Sequence, residues 1–183
     1  MKTSLVAAIL IVALSSCACA SGAFVFGRTS YRGDACSDCN SDPETANFYG
    51  LAYHVHTLPV VDLVASIEYA ASDVNYGCSG LTGTADFSHI SLNAAGTVTL
   101  VRFVVVRAYG GVGLSYNWFN FGHLDCQAQL ELDTTPGYHG VIGLETTSPG
   151  VPLRTYLEGR LSRIGSSPHM TTQSIYLGFE IGI

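Results

Sequence analysis

Charge is scarce in this chain. Only 12 % of its 183 residues are Asp, Glu, Lys or Arg, about half the ~25 % usual in soluble domains. Beside that low charge stand 20 glycines and 10 tyrosines, which fits neither a disordered segment nor an ordinary cytosolic enzyme. Cations are the scarcer sign: 8 Lys and Arg against 14 Asp and Glu give a formal charge of −6. No basic patch interrupts that balance, which excludes nucleic acid as a partner. Also missing, beyond the N-terminal segment, is any apolar run long enough for a membrane-spanning helix. Any crossing of a bilayer would have to be made by strands. The length suits one domain.

Met1 to Ala20 reads as a secretory signal, with Lys2 as a short basic head, an apolar core from Leu5 to Leu14, and small residues after it. Two processing sites compete. Cleavage at Ala18-Cys19-Ala20 leaves Ser21 at the new N-terminus, whereas Leu14-Ser15-Ser16-Cys17 resembles a lipobox in which Cys17 is lipidated. Cleavage after Ala20 is favoured, because a strand starts almost at once and needs no acyl anchor. The expected division is a signal at 1–20 and one exported domain at 21–183.

The remainder alternates with a period of two. The pattern is clearest from Arg107 to Tyr116, where Ala108, Gly110, Val112, Leu114 and Tyr116 form an uncharged face. Arg107, Tyr109, Gly111, Gly113 and Ser115 form a small, polar face with one cation. Seven further strands are expected: Ala23–Arg32, Asn47–Thr57, Asp62–Ser72, Phe87–Leu100, Tyr138–Thr147, Leu153–Arg163 and one ending at Ile183. In the first, Val25, Gly27, Thr29 and Tyr31 oppose Arg28, Ser30 and Arg32. Polar segments at 33–46, 73–84 and 118–137 read as long loops; the connections near Pro59, at 101–103 and at 148–152 are short.

A soluble sheet hides its apolar face, while a membrane barrel turns it toward lipid. Three observations favour the second arrangement. When each strand is set by its aliphatic residues, Arg28, Glu68, Arg107, Glu145, Arg154, Glu158, Arg160 and Glu180 fall on the opposite face, a neutral set able to pair inside a narrow tube. Long and short connections alternate, as in membrane barrels. Tyr31, Tyr49, Tyr69, Tyr116 and Tyr138 share the aliphatic parity at strand ends beside long loops, as an interfacial aromatic girdle would.

Taken together, these residues resemble the small eight-stranded outer-membrane barrels, the broad family of the OmpA membrane domain, OmpX and OmpW-like proteins. Arg107-Ala108-Tyr109-Gly110-Gly111-Val112-Gly113-Leu114-Ser115-Tyr116 is similar to that family's Arg-Pro-Tyr-x-Gly-x-Gly-x-Gly-Tyr strand, with Ala108 in place of Pro and a shifted glycine spacing. The end, Ile175 to Ile183, is similar to the signal read by the barrel-assembly machinery, with Ile183 where an aromatic is usual. The resemblance implies an all-β, eight-stranded, antiparallel, up-and-down transmembrane barrel in a bacterial outer membrane. It also implies outer-membrane lipid and lipopolysaccharide as surroundings.

Few residues suggest further chemistry. Cys36, Cys39, Cys78 and Cys126 fall in the long external loops of this topology and are expected to form two disulfides, with three connectivities open. Cys36-Ser37-Asp38-Cys39 has no accompanying His pair, so neither metal nor cofactor is expected. The acidic loop residues Asp34, Asp38, Asp42, Glu44, Asp125, Glu131 and Asp133 read as solvated, with calcium bridging to lipopolysaccharide a lesser option. His89-Ile90-Ser91 is similar to the His-x-Ser pair of some lipid A deacylases, but this register turns both side chains into the lumen and Leu92 stands where those enzymes carry Asn. His54 and His56 share that lumenal parity and read as hydrogen-bonded interior residues. Gly110, Gly111 and Gly113 precede no helix and form no nucleotide loop. The expected role is a plugged barrel whose loops meet an unspecified external ligand. The alternatives are a conduit for small apolar molecules, the hydrolase, and a soluble lipocalin-like binding barrel.

Overall fold

Eight strands pair each with the next, and the eighth closes on the first. The computed structural model describes residues 20–33, 45–58, 60–78, 81–121, 134–147, 150, 152–165 and 170–182. The strands are β1 (Ala20–Gly33), β2 (Thr45–Leu58), β3 (Val61–Cys78), β4 (Leu81–Arg102), β5 (Val106–Phe121), β6 (Thr134–Thr147), β7 (Leu153–Ile164) and β8 (Met170–Gly182). All pairings are antiparallel. Closure leaves no sheet edge along the wall, so the strands satisfy one another's backbone groups without water.

The stagger sets the bore. Stepping through paired residues from Gly22 to Tyr53, Ala65, Ala94, Leu114, Tyr138, Arg163 and Thr171 returns to β1 at Arg32, ten residues from the start. That displacement over eight strands tilts them by about 40° and leaves an interior just wide enough to be filled by side chains.

The apolar residues face out. Leu92, Ile142 and Leu157 are 50 %, 66 % and 52 % exposed, whereas Glu158 and Arg160 on the same β7 are buried. Tyr49, Tyr69, Tyr116 and Tyr138 also face outward toward the end that carries the β1–β2, β3–β4, β5–β6 and β7–β8 connections, here the loop end. Trp118 joins them, packed edge-on against Tyr116 at 4.8 Å between ring centroids.

One strand departs from its expected register. In β1, Phe24 and Phe26 face outward while Val25 is buried, so Tyr31 turns into the lumen and Arg28 turns out. The cause is volume. Beside this strand the bore is already filled by Phe48 and Tyr176, which flank Gly27 and pack edge-on at 5.7 Å. It therefore accepts Ala23, Val25 and Gly27, whereas the two phenylalanines face out and Phe26 stacks on Phe179 at 6.1 Å. Tyr31 is therefore no girdle residue, and Arg28 is no member of the lumenal charge set.

Two expected loops are also corrected. The segment at 73–84 is largely a hairpin, in ladder as far as Cys78 and Leu81. The segment at 118–137 gives its first residues to β5 and its last to β6. At about 3.3 Å per residue, β4 with 22 residues outruns a ~30 Å apolar layer even when tilted. Its loop-end portion stands clear of the wall. Residues 1–19, with Cys17 and most of the signal segment, lie outside the described residues. So do Cys36, Cys39, Cys126, the side chains of Cys78 and His56, the acidic loop residues, and Ile183.

Candidate functional site in the barrel lumen

The inward face of each strand contributes to three tiers of polar contact. Nearest the short turns, the Arg107 guanidinium donates to Asp62 and, at 2.5 Å, to Glu145. Arg154 lies 3.9 Å from Glu145 and 3.4 Å from Glu180. Glu180, fully buried, also accepts from Ser21 at 2.5 Å and lies 3.6 Å from the His54 ring.

The middle tier centres on Arg160. Its guanidinium donates to both Glu68 oxygens at 2.8 and 2.9 Å and to the Tyr176 hydroxyl at 2.7 Å. Glu158 lies 3.6 Å away and accepts from Tyr109 at 2.9 Å. Ser66 donates to Glu68 at 2.7 Å and is itself held by Asn93.

The third tier, toward the loops, has no ion pair among its described residues. His89 meets the Tyr31 hydroxyl at 3.0 Å and the Asn117 amide oxygen at 3.0 Å, and its ring stacks on Phe119 at 4.5 Å. Phe87 closes against both Tyr31 and Phe119. Between this tier and Arg160 lies a cavity of about 30 Å³ lined by both polar and apolar groups, among them Thr29, Ser91, Asn93, Ser162, Phe48 and Ile164. Nearby, both ring nitrogens of the buried His139 have no partner among the described residues.

Glycine makes these tiers fit. Gly178 pairs with Tyr156 and Gly143 with Tyr109, and a Cβ at either glycine would fall inside the opposing ring. A large ring laid across a bare backbone fills the bore evenly, the pairing that supports weak strand glycines elsewhere. Gly178→Val should therefore destabilise the folded barrel by about 1–3 kcal/mol through overpacking. Urea unfolding in micelles reads this directly, and Gly159→Val, whose Cβ meets only ordinary contacts, should change little.

Glu68, Arg107, Glu145, Arg154, Glu158, Arg160 and Glu180 all take part in these contacts; Arg28 does not. Asp62 does, although the sequence offered it only as the first residue of a strand. Period-two counting back from Val64 and Ser66 was the available signal. Substituting Asp62 for Arg28 changes the balance to three arginines against five carboxylates. Hydroxyl donors Ser21, Ser66 and Tyr109 meet the excess.

The His89-Ile90-Ser91 motif gains no catalytic geometry. Both His89 nitrogens are engaged by Tyr31 and Asn117, Ser91 accepts from Asn93 at 3.1 Å, and both residues are buried in the lumen. A nucleophile needs its base within reach and its substrate at hand, and here both groups face the closed lumen. No group of metal-ligating side chains occurs among the described residues.

No protein-family profile matches the chain, and no characterised protein matches it in sequence. Solved structures do resemble it. Neisserial surface protein A superposes with a TM-score of 0.65 at 13 % identity, over 88 % of this chain and 96 % of that one. OprG, an outer-membrane protein of Pseudomonas aeruginosa, gives 0.56 at 12 % identity over 89 % and 94 %. Ail, the attachment invasion locus protein of Yersinia pestis solved with a heparin analogue, gives 0.55 at 12 % identity over 89 % and 98 %. The chain has the fold of the small eight-stranded outer-membrane β-barrels.

Proposed function

We propose that this chain is an exported bacterial outer-membrane protein whose lumen is plugged by its own side chains and whose role lies at the loop end. The observation that carries the reading is the arginine-centred lumen. Arg107, Arg154 and Arg160 each reach carboxylates on other strands, and the cavity between tiers is about 30 Å³, room for water but for no larger solute. Such a tube is a rigid post rather than a passage. Its loops are tied by disulfides among Cys36, Cys39, Cys78 and Cys126 and present the binding surface, and the barrel-assembly machinery inserts it from its C-terminal strand. The loop-end lumen is lined by Phe48, Phe87, Phe119, Ile164 and Met170. These side chains pack together above the Arg160 and Arg107 tiers, whereas an apolar conduit would need an open path and a deacylase a site open to lipid.

Recording from planar bilayers tests the plug. The purified, refolded chain should give no stepwise conductance above the bare bilayer. Long-lived openings of a size that passes small solutes would overturn the reading.

A further inference from the structure

The chain has seven arginines, and three of them form one cluster on the outer wall. Arg32 and Arg163 both pair with Thr171, one from each side of β8. One row nearer the turns lie Ser30, Gln173 and Leu161, and the next row brings Arg28 beside Ile175 and Gly159. All three arginines are exposed on the outward parity. The described outward residues of β1, β7 and β8 include no carboxylate, although the chain as a whole is acidic. Just past Arg28, Phe26, Leu177 and Leu157 begin the oily band.

The position is specific. Around the rest of the wall Tyr49, Tyr69, Tyr116 and Tyr138 face outward near the loop end, where aromatic residues mark the edge of an apolar layer. By the stagger Arg28 and Arg163 stand near their height and Arg32 above it. On the β7–β8–β1 flank that aromatic belt gives way to guanidinium groups. A cation in mid-layer would cost ~2–4 kcal/mol, falling to nearly nothing at the interface, and long arginine stems let the heads rise to that level. Arg32 and Arg163 stand two strands apart, about 10 Å at the backbone, and Arg28 lies four residues along the strand, about 13 Å away. The three heads thus surround Thr171 and Gln173, hydrogen-bonding groups that acyl chains cannot use. Guanidinium forks bind the oxygens of a phosphate bidentately, with charge-assisted hydrogen bonds.

We infer that Arg28, Arg32 and Arg163, with Thr171 and Gln173, form a docking site on the outer wall for the phosphorylated headgroup of a glycolipid standing beside the barrel in the loop-end leaflet. The inference rests on the reading of the chain as a membrane barrel and names a partner for it. The site holds one lipid against one flank, its acyl chains lying along Phe26, Leu161 and Leu177.

Native mass spectrometry of the full chain in detergent, titrated with bisphosphorylated lipid A, tests it. The wild type should retain this lipid at least tenfold more tightly than the Arg28→Gln/Arg32→Gln/Arg163→Gln variant, and the difference should vanish with the dephosphorylated lipid. Arg102→Gln, at the opposite end of the barrel, should behave as wild type. Millimolar inorganic phosphate should not displace the lipid. Equal retention by wild type and triple variant, equal binding of the dephosphorylated lipid, or full displacement by inorganic phosphate would each overturn the proposal. The double variant Arg32→Gln/Arg163→Gln changes only exposed residues near the rim and should still lose most of the preference if the triple variant does not fold. A wild type that fails to insert into vesicles and show a heat-dependent gel shift would instead sink the membrane reading itself.

Discussion

Arg160→Ala is expected to remove about 3–5 kcal/mol of stability, the cost of leaving buried partners without their counter-charge. Arg160 donates to Glu68 of β3 and Tyr176 of β8 and lies 3.6 Å from Glu158, two residues back on its own strand. Alanine leaves two carboxylates facing one another across a cavity with no cation. Urea titration of the refolded barrel in micelles, followed by Trp118 fluorescence, measures the loss. The companion variant Glu68→Gln/Glu158→Gln/Arg160→Met should recover most of it, because a neutral, well-filled tier avoids both the desolvation and the imbalance. A loss under ~1 kcal/mol, the range of a solvated ion pair, would mean that water reaches the tier freely. The plug would then fail along with the ion pair.

Ile142→Arg should be nearly as damaging, at about 2–4 kcal/mol when the barrel is embedded in a bilayer. Ile142 is 66 % exposed and lies on the outward face of β6 between Tyr138 at the girdle and Thr147 at the turn end. In a water-soluble barrel an arginine at so open a position would be harmless, within about 0.5 kcal/mol. Thr134→Arg, at the exposed loop end of the same strand, should be tolerated in either solvent. The contrast between the two substitutions, measured by refolding yield and unfolding midpoint in vesicles, separates lipid from water outside the wall.

Most of the wall was legible in the sequence because alternation reports which side a residue faces, whatever its neighbours. Leu63, Ile67, Leu92, Leu114, Ile142 and Leu157 all stand on the expected side. In the first strand the parity of Val25 and Tyr31 points the wrong way, because Phe48 and Tyr176, flanking Gly27 in the ladder, already fill the bore there, and no pattern within the strand reports that. The segment at 73–84 reads as a loop because it lacks oily alternation. Beyond Asp73 the hairpin rises past the girdle, where neither face requires apolar residues. The partners within the lumen were not readable at all. Parity places Tyr156 inside, but only the stagger sets it opposite Gly178, and only the stagger brings Arg160 of β7 to Glu68 of β3. For the same reason the arginine cluster, whose members are remote in sequence, emerges only once β7, β8 and β1 are seen side by side.

That oily side chains look outward to hydrocarbon is the claim on which the rest stands, and fluorescence can test it. The chain holds one tryptophan, Trp118, so Trp118→Phe/Leu157→Trp carries a single reporter in the middle of the outward band. In vesicles of lipids brominated deep in their acyl chains, that reporter should be strongly quenched, and less so when the bromines sit near the headgroups. A blue-shifted emission that no brominated lipid can quench would place Leu157 in a protein core and contradict the account.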